Sequence, residues 1–220
     1  MLHAPKQTRS KKTLERILAS ARTLMGTAGV DAVGITQIVA EAKSSVGSFY
    51  ARFDGKEDLV RHLDGRLWEE AHARWENGVS GWDPELPAPE RIGLLVRLIQ
   101  EAVGPDRDLR SAITQVLAED GQAAQGAFDA RVTQDSLSLF AQEEGIRHPK
   151  PATCIPLGIR IVLSTLRDRP EGPTPGANVD SGVVLADELT SALRGYWGVG
   201  RVVQGAGSGP AVMEYFDIWS

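Results

Sequence analysis

The stretch that decides the fold runs from residue 45 to residue 59: Ser45-Val46-Gly47-Ser48-Phe49-Tyr50-Ala51-Arg52-Phe53-Asp54-Gly55-Lys56-Glu57-Asp58-Leu59. Ser45 has the side chain of a helix N-cap, and Val46–Phe53 predicts a short helix behind it. Phe49 and Phe53, four residues apart, fall on one face and point inward. The segment Val46–Arg52 carries no acid. Gly47 and Ala51 are small enough to bring the backbone close to a partner. Val46 suits a thymine methyl, Ser48 can donate or accept, and Arg52 reaches phosphate or guanine. The Tyr50 hydroxyl suits a phosphate oxygen. Those are the requirements for a helix that enters the major groove of DNA. Asp54 and Glu57 have capping-box spacing for the next helix, and Lys56 at its positively polarised start is a natural phosphate clamp.

Upstream, residues 12–28 place Leu14, Ile17, Leu18, Ala21, Leu24 and Met25 on helical spacing behind a basic leading edge. Ser10 or Thr13 can cap this helix, and Gly29 stands where a left-handed C-terminal cap is wanted. Ile35–Ala42 forms a second, short helix capped by Gly34, with Thr36 near its start, and Lys43-Ser44 interrupts it before Ser45. Helix, short helix, turn, short helix after a basic N-terminus is a helix-turn-helix unit.

Downstream, a helix is predicted over Lys56–Asn77, ended by Gly78, Gly81 and Pro84. Further helices follow at 90–103, 108–119, 122–144 (one long or two), 152–167 and 181–197. Arg169–Asn178, with its prolines and glycines, is a loop. The glycine-rich tail after Trp197 ends in Tyr215, Phe216, Ile218 and Trp219, which are costly to leave exposed and are expected to dock. No strand alternation stands out, and the fold class is all-α.

The 220 residues carry a formal charge of -5, which taken alone argues against a nucleic-acid partner. The charge is unevenly divided. Residues 1–60 hold nine Lys/Arg against six Asp/Glu, and residues 61–220 hold fifteen against twenty-three. A basic reading head on an acidic body reconciles DNA binding with an acidic total. Cys154 alone excludes an internal disulfide and a cysteine-based zinc site. His62, His72 and His148 lack metal-ligand spacing, no nucleophile–base pair emerges, and no cofactor fingerprint is complete. No apolar run reaches the roughly 18 residues of a membrane span, and no signal peptide is read, so a cytoplasmic protein without membrane contact is expected.

Residues 45–59 resemble the TetR family pattern S-x-G-[ST]-[LFI]-Y-x-x-F-x-x-K-E-x-L, with Ser45, Gly47, Tyr50, Phe53, Lys56, Glu57 and Leu59 in register. The detailed resemblance covers about residues 10–60. Three departures lie beside it. Gly34 stands where Thr is usual, Val39 where Ala is usual, and Lys43 replaces a turn glycine, where a left-handed backbone costs about 1 kcal/mol. The resemblance implies a helix-turn-helix DNA-binding domain with a basic arm at 1–55, and a helical ligand-binding and dimerisation domain at 56–220. It further implies a transcriptional regulator, usually a repressor, that binds a palindromic double-stranded operator as a homodimer. A small-molecule effector would release it, and pairing would use 152–167 and 181–197. Thr36, Ser45, Val46, Gly47, Ser48, Tyr50, Ala51, Arg52 and Lys56 are the expected DNA contacts. Trp68, Trp75 and Phe128 are the candidates for an effector pocket, although aromatics at helical spacing are also ordinary core. Two alternatives stand beside this reading: a TetR-like DNA binder answering to a protein partner or to no ligand, and a helical enzyme.

Overall fold

A computed structural model describes residues 4–117, 119–140, 145–167, 182–203 and 212–214. Among them the chain forms α1 (Ala4–Ala28), α2 (Ile35–Glu41), α3 (Val46–Tyr50), α4 (Lys56–Ser80), α5 (Ala88–Val103), α6 (Arg107–Leu117), α7 (Glu119–Leu139), α8 (Pro151–Arg167) and α9 (Gly182–Trp197). Two short strands, β1 (Arg201–Val203) and β2 (Val212–Glu214), pair antiparallel with Val202 opposite Met213. This hairpin corrects the reading of the tail as strandless; three-residue strands are too short for alternation to register. The aromatic end of the tail and the 169–178 loop lie outside the described residues.

The chain folds as two compact units, residues 1–70 with 106–126, and residues 71–105 with 127–220. In the first, α1, α2, α3, the start of α4 and α6 enclose one core. Ile17, Ala21, Met25, Ile38, Phe49, Phe53, Leu59 and Ile113 are all essentially inaccessible to solvent. Helix α1 starts eight residues before the predicted 12–28 segment, so Lys6 to Lys12 continue the helix rather than precede it. Pro5 does not prevent this, because first-turn N–H groups have no intrahelical acceptor. Gly29 ends α1 as expected, with φ +88° and its N–H on the Met25 carbonyl at 3.0 Å.

The helix-turn-helix corner forms despite the missing turn glycine. Lys43 adopts φ +48°. Its N–H donates to Ala40 O at 3.0 Å, and the Ser44 N–H donates to Val39 O at 2.8 Å. Together these two bonds satisfy the last carbonyls of α2 in a Schellman motif. Lys43 is exposed, so no packing of its side chain offsets the left-handed cost. Lys43→Gly is therefore expected to stabilise the protein by about 0.5–1 kcal/mol, after the entropy of glycine is subtracted. A thermal melt shows this as a rise of about 2–3 °C; an unchanged or lowered Tm contradicts it. Lys43→Ala is the control that leaves the strain in place.

Helix α4 outruns its predicted end. Gly78 lies inside it, where a Cβ would come within 2.6 Å of Leu98 Cδ2, so this glycine permits close packing against α5 instead of terminating a helix. The start of α4 differs in detail too. Leu59 N–H bonds Gly55 O at 3.2 Å, and the Asp54 N–H is taken by the Asp58 carboxylate at 3.1 Å rather than by Glu57. In the second unit, α5, α8 and α9 pack on one another. Gly158 of α8 is the contact point with α9, since a Cβ there would meet Leu193 and the Trp197 indole at 2.7 Å. Trp197 is fully buried and its indole N–H donates to Cys154 O at 3.1 Å.

Candidate nucleic-acid interface

Five residues make a weak helix in isolation, so α3 depends on its cap and its buried ring. Ser45 Oγ accepts from the Ser48 N–H at 3.1 Å and bonds Ser48 Oγ at 3.0 Å. Both hydroxyls are thus engaged at the helix start. Phe49 anchors the opposite face, 5.2 Å from the Phe53 ring, which in turn meets His62 edge-on at 5.3 Å. With those rings fixed, the outer face is determined. Val46 is 43% exposed and Tyr50 56%; Gly47 and Ala51 lie open beside them. Tyr50 rests edge-on against Phe49 at 5.4 Å. Exposed valine and tyrosine with two small residues make a surface shaped for contact.

The remaining predicted contacts are placed around this face. Thr36 is exposed in the first turn of α2. The N-cap of α2 is Gly34 as expected, and its N–H donates to Gln37 Oε1 at 2.7 Å. Lys56 Nζ donates to the Asp31 carbonyl at 3.1 Å, which ties the start of α4 to the turn between α1 and α2. Arg52 is half-buried, and its guanidinium bonds the Ser48 carbonyl and Ser10. Not all of the N-terminal positive charge faces outward. Arg22 donates to both Asp106 oxygens and to Glu70, whereas Lys11, Lys12 and Arg16 project from other faces of α1. The Asp106 and Glu70 carboxylates favour the charged form of Arg22 and raise its pKa further.

Residues 17–63 match the family model described as bacterial regulatory proteins, tetR family. The matched segment contains the α2–α3 corner and every DNA-contact candidate. Residues 17–63 are a TetR-family DNA-binding domain. No curated protein matches it. Solved TetR structures share the fold at low identity. A transcriptional regulator of the TetR/AcrR family from Thermobifida fusca is 18% identical, with TM-score 0.63 over 82% of this chain and 95% of the other. GusR of Salmonella enterica gives 19% identity and TM-score 0.59 over 84% and 95%. NemR of E. coli in its reduced form gives 14% and 0.57 over 83% and 95%. Its TetR domain makes this regulator a DNA-binding protein.

The effector candidates fall in different places. Trp68 belongs to the first unit, where the Arg110 guanidinium stacks over its ring at 5.0 Å. Trp75 and Phe128 belong to the second unit and are fully buried. The Trp75 indole N–H donates to Asp135 at 2.9 Å, and Phe128 meets His72 edge-on at 5.1 Å. A separate groove of about 370 Å³ runs between α5 and α9, lined by Glu90, Arg97, Asp187, Thr190, Ser191 and Arg194 among others. Neither spacing nor composition singles out this groove in the sequence, because its walls come from helices about ninety residues apart. Burial raises the Cys154 thiol to about 11, so it stays protonated at neutral pH. Among the described residues no group of three or more His, Cys, Asp or Glu could hold a metal ion, and no helix is long and apolar enough to cross a membrane.

Proposed function

We propose that this TetR-family regulator is a cytoplasmic, non-catalytic repressor that binds a palindromic operator as a homodimer and is released by a small molecule. The observation that carries the DNA-reading part is the outer face of α3, where Val46, Gly47, Tyr50 and Ala51 are exposed above buried Phe49 and Phe53. Thr36, Ser45, Ser48 and Lys56 complete the contact set. Residues 1–55 together with Lys56 do the reading, and the rest of 56–220, of which 57–70 and 106–126 fold with the reading head, does the sensing and pairing. Lys11 and Lys12 add non-specific phosphate affinity.

Selection of bound sequences from random duplex DNA tests this reading, and repeating it with a metabolite library tests release. A palindromic consensus is expected; no enrichment overturns the proposal. Tyr50→Phe and Lys56→Ala are each expected to weaken binding of the selected duplex about 5- to 30-fold, as loss of a phosphate hydrogen bond does. The melting temperature of Tyr50→Phe should stay within about 2 °C of wild type, since surface substitutions cost little, and that of Lys56→Ala within about 4 °C, since it also loses the bond to the Asp31 carbonyl. Wild-type affinity in both removes these contacts.

The dimer reading is supported by Leu157 and Ile161 on α8, 45% and 47% exposed one turn apart, and by Val184 on α9 at 38%. Large apolar side chains arranged this way favour burial against a partner. Leu157→Glu with Ile161→Glu is expected to convert a dimer to a monomer in sedimentation at micromolar concentration; a wild-type monomer contradicts the pairing.

The mixed lining and volume of the α5–α9 groove support a small-molecule effector, whereas a role for Trp75 and Phe128 requires the packed core around them to open. That same packing favours a second reading, a DNA binder under a protein partner or without ligand. Release of the selected duplex by a metabolite decides between the two.

A further inference from the structure

We propose that Arg52 is a positioning residue of the nucleic-acid interface: its guanidinium fastens Ser10, in the basic first turns of α1, to the C-terminal end of α3. The inference rests on the reading of α3 as the DNA-contacting helix and adds how the basic arm is aimed.

The geometry has three parts. Arg52 Nη1 donates to the Ser48 carbonyl, one of the acceptors left open at the end of the five-residue α3. A cation there also complements the negative end of the helix. Arg52 Nη2 donates to Ser10 Oγ at 3.1 Å and approaches Ser10 O at 3.4 Å, across 42 residues of sequence. The third nitrogen, Nε, is buried without a hydrogen-bond partner. Both terminal nitrogens therefore serve protein acceptors while Nε faces inward. A guanidinium held this way acts as a brace. Its fork lets one side chain hold two acceptors that a lysine, with a single point charge, does not span in the same geometry.

The consequence is for the arm. Lys6, Arg9, Lys11 and Lys12 lie in the first turns of α1. The first turn of a helix frays unless something ties it down, and a frayed arm loses the preorganisation that turns its charge into affinity. The brace at Ser10 holds this stretch of α1 in fixed register with α3, so the arm and the reading helix meet DNA together.

Three full-length variants test this: Arg52→Lys, Arg52→Gln and Ser10→Ala. Each is measured alone and in an arm-neutralised background with Lys6, Arg9, Lys11 and Lys12 changed to alanine. Affinity for the selected duplex is followed against salt concentration, and amide exchange at residues 8–14 is followed in the free proteins. Positioning predicts that Arg52→Lys weakens binding about tenfold even though the charge is kept, and that Arg52→Gln does the same. Ser10→Ala acts in the same direction by a smaller factor. All three lose their effect, to within about twofold, once the arm is neutralised, as coupled sites do. Exchange at residues 8–14 quickens several-fold in each variant without DNA. A direct phosphate contact overturns the proposal with a different pattern. Arg52→Lys then binds like wild type, Arg52→Gln lowers the salt slope by about one in either background, and exchange is unchanged. If wild type binds no duplex, the DNA reading has failed, and the exchange data alone report whether Arg52 braces Ser10.

Discussion

Phe49→Ala is expected to destabilise the first unit by about 3–5 kcal/mol, the range for removing a fully buried phenylalanine. Phe49 is completely inaccessible to solvent, and its ring is the inward anchor of a helix with only five residues. Beneath it lie Phe53 at 5.2 Å and, through Phe53, His62 on α4. Removing the ring leaves a cavity that the short helix cannot fill by sliding, because Ser45 pins its start and the Lys43 turn precedes it. A thermal melt should show a loss of about 10 °C or more. Hydrogen exchange should place the loss in α1, α2 and α3, and affinity for the selected duplex should vanish. A cost under about 1 kcal/mol would mean that α3 is not held by this ring. The contrast with Tyr50→Phe is informative: adjacent aromatics, one carrying the fold and the other facing outward.

The second large effect depends on pH. Asp64 of α4 is only 4% exposed, and its Oδ1 is buried without a hydrogen-bond partner. Burial disfavours the charged form and outweighs the Trp68 indole and the nearby Arg110 guanidinium, both of which favour it; the pKa rises from 3.8 to about 6. For an acid raised on folding, the stabilising contribution is full below the unfolded value and lost as pH rises through the folded one. The unfolded chain gives up its proton near pH 4 while the folded chain holds it until about pH 6, so stability falls over that window. Asp64→Asn removes the penalty. At pH 8 the variant is expected to be more stable by about 2–3 kcal/mol, because each tenfold change in proton affinity is worth about 1.4 kcal/mol. Below pH 4 the two proteins should melt together. Calorimetry of both across pH 4–8 checks it, and a variant less stable than wild type at pH 8 would show that the ionised carboxylate is needed by Arg110.

Much of this was legible in the sequence because it is local. Ser45 as a cap, Gly29 as a left-handed stop and the Phe49–Phe53 pair each depend on neighbours within a few residues, and the structure keeps all three. Even the strain at Lys43 follows from a one-residue comparison with the family pattern. Errors concentrate where a distant partner decides. Gly78 looks like a terminator until Leu98 explains it as a slot for α5. The basic residues before Lys12 read as a leading edge ahead of the helix until α1 is seen to begin at Ala4.

The charge division between the first 60 residues and the rest was a matter of counting, yet it does not say which charges face outward. Arg22 is spent on Asp106, 84 residues away, and Glu70, and Arg52 on Ser10 and Ser48. Sequence alone determined the helix-turn-helix and its family, because caps, periodicity and motif spacing act over a handful of residues. Only tertiary structure decided which cations are committed within the protein, that Asp64 is buried beside Arg110, and that a groove lies between α5 and α9. Each of those depends on side chains brought together from far apart in the chain, and such pairings have no local pattern to read.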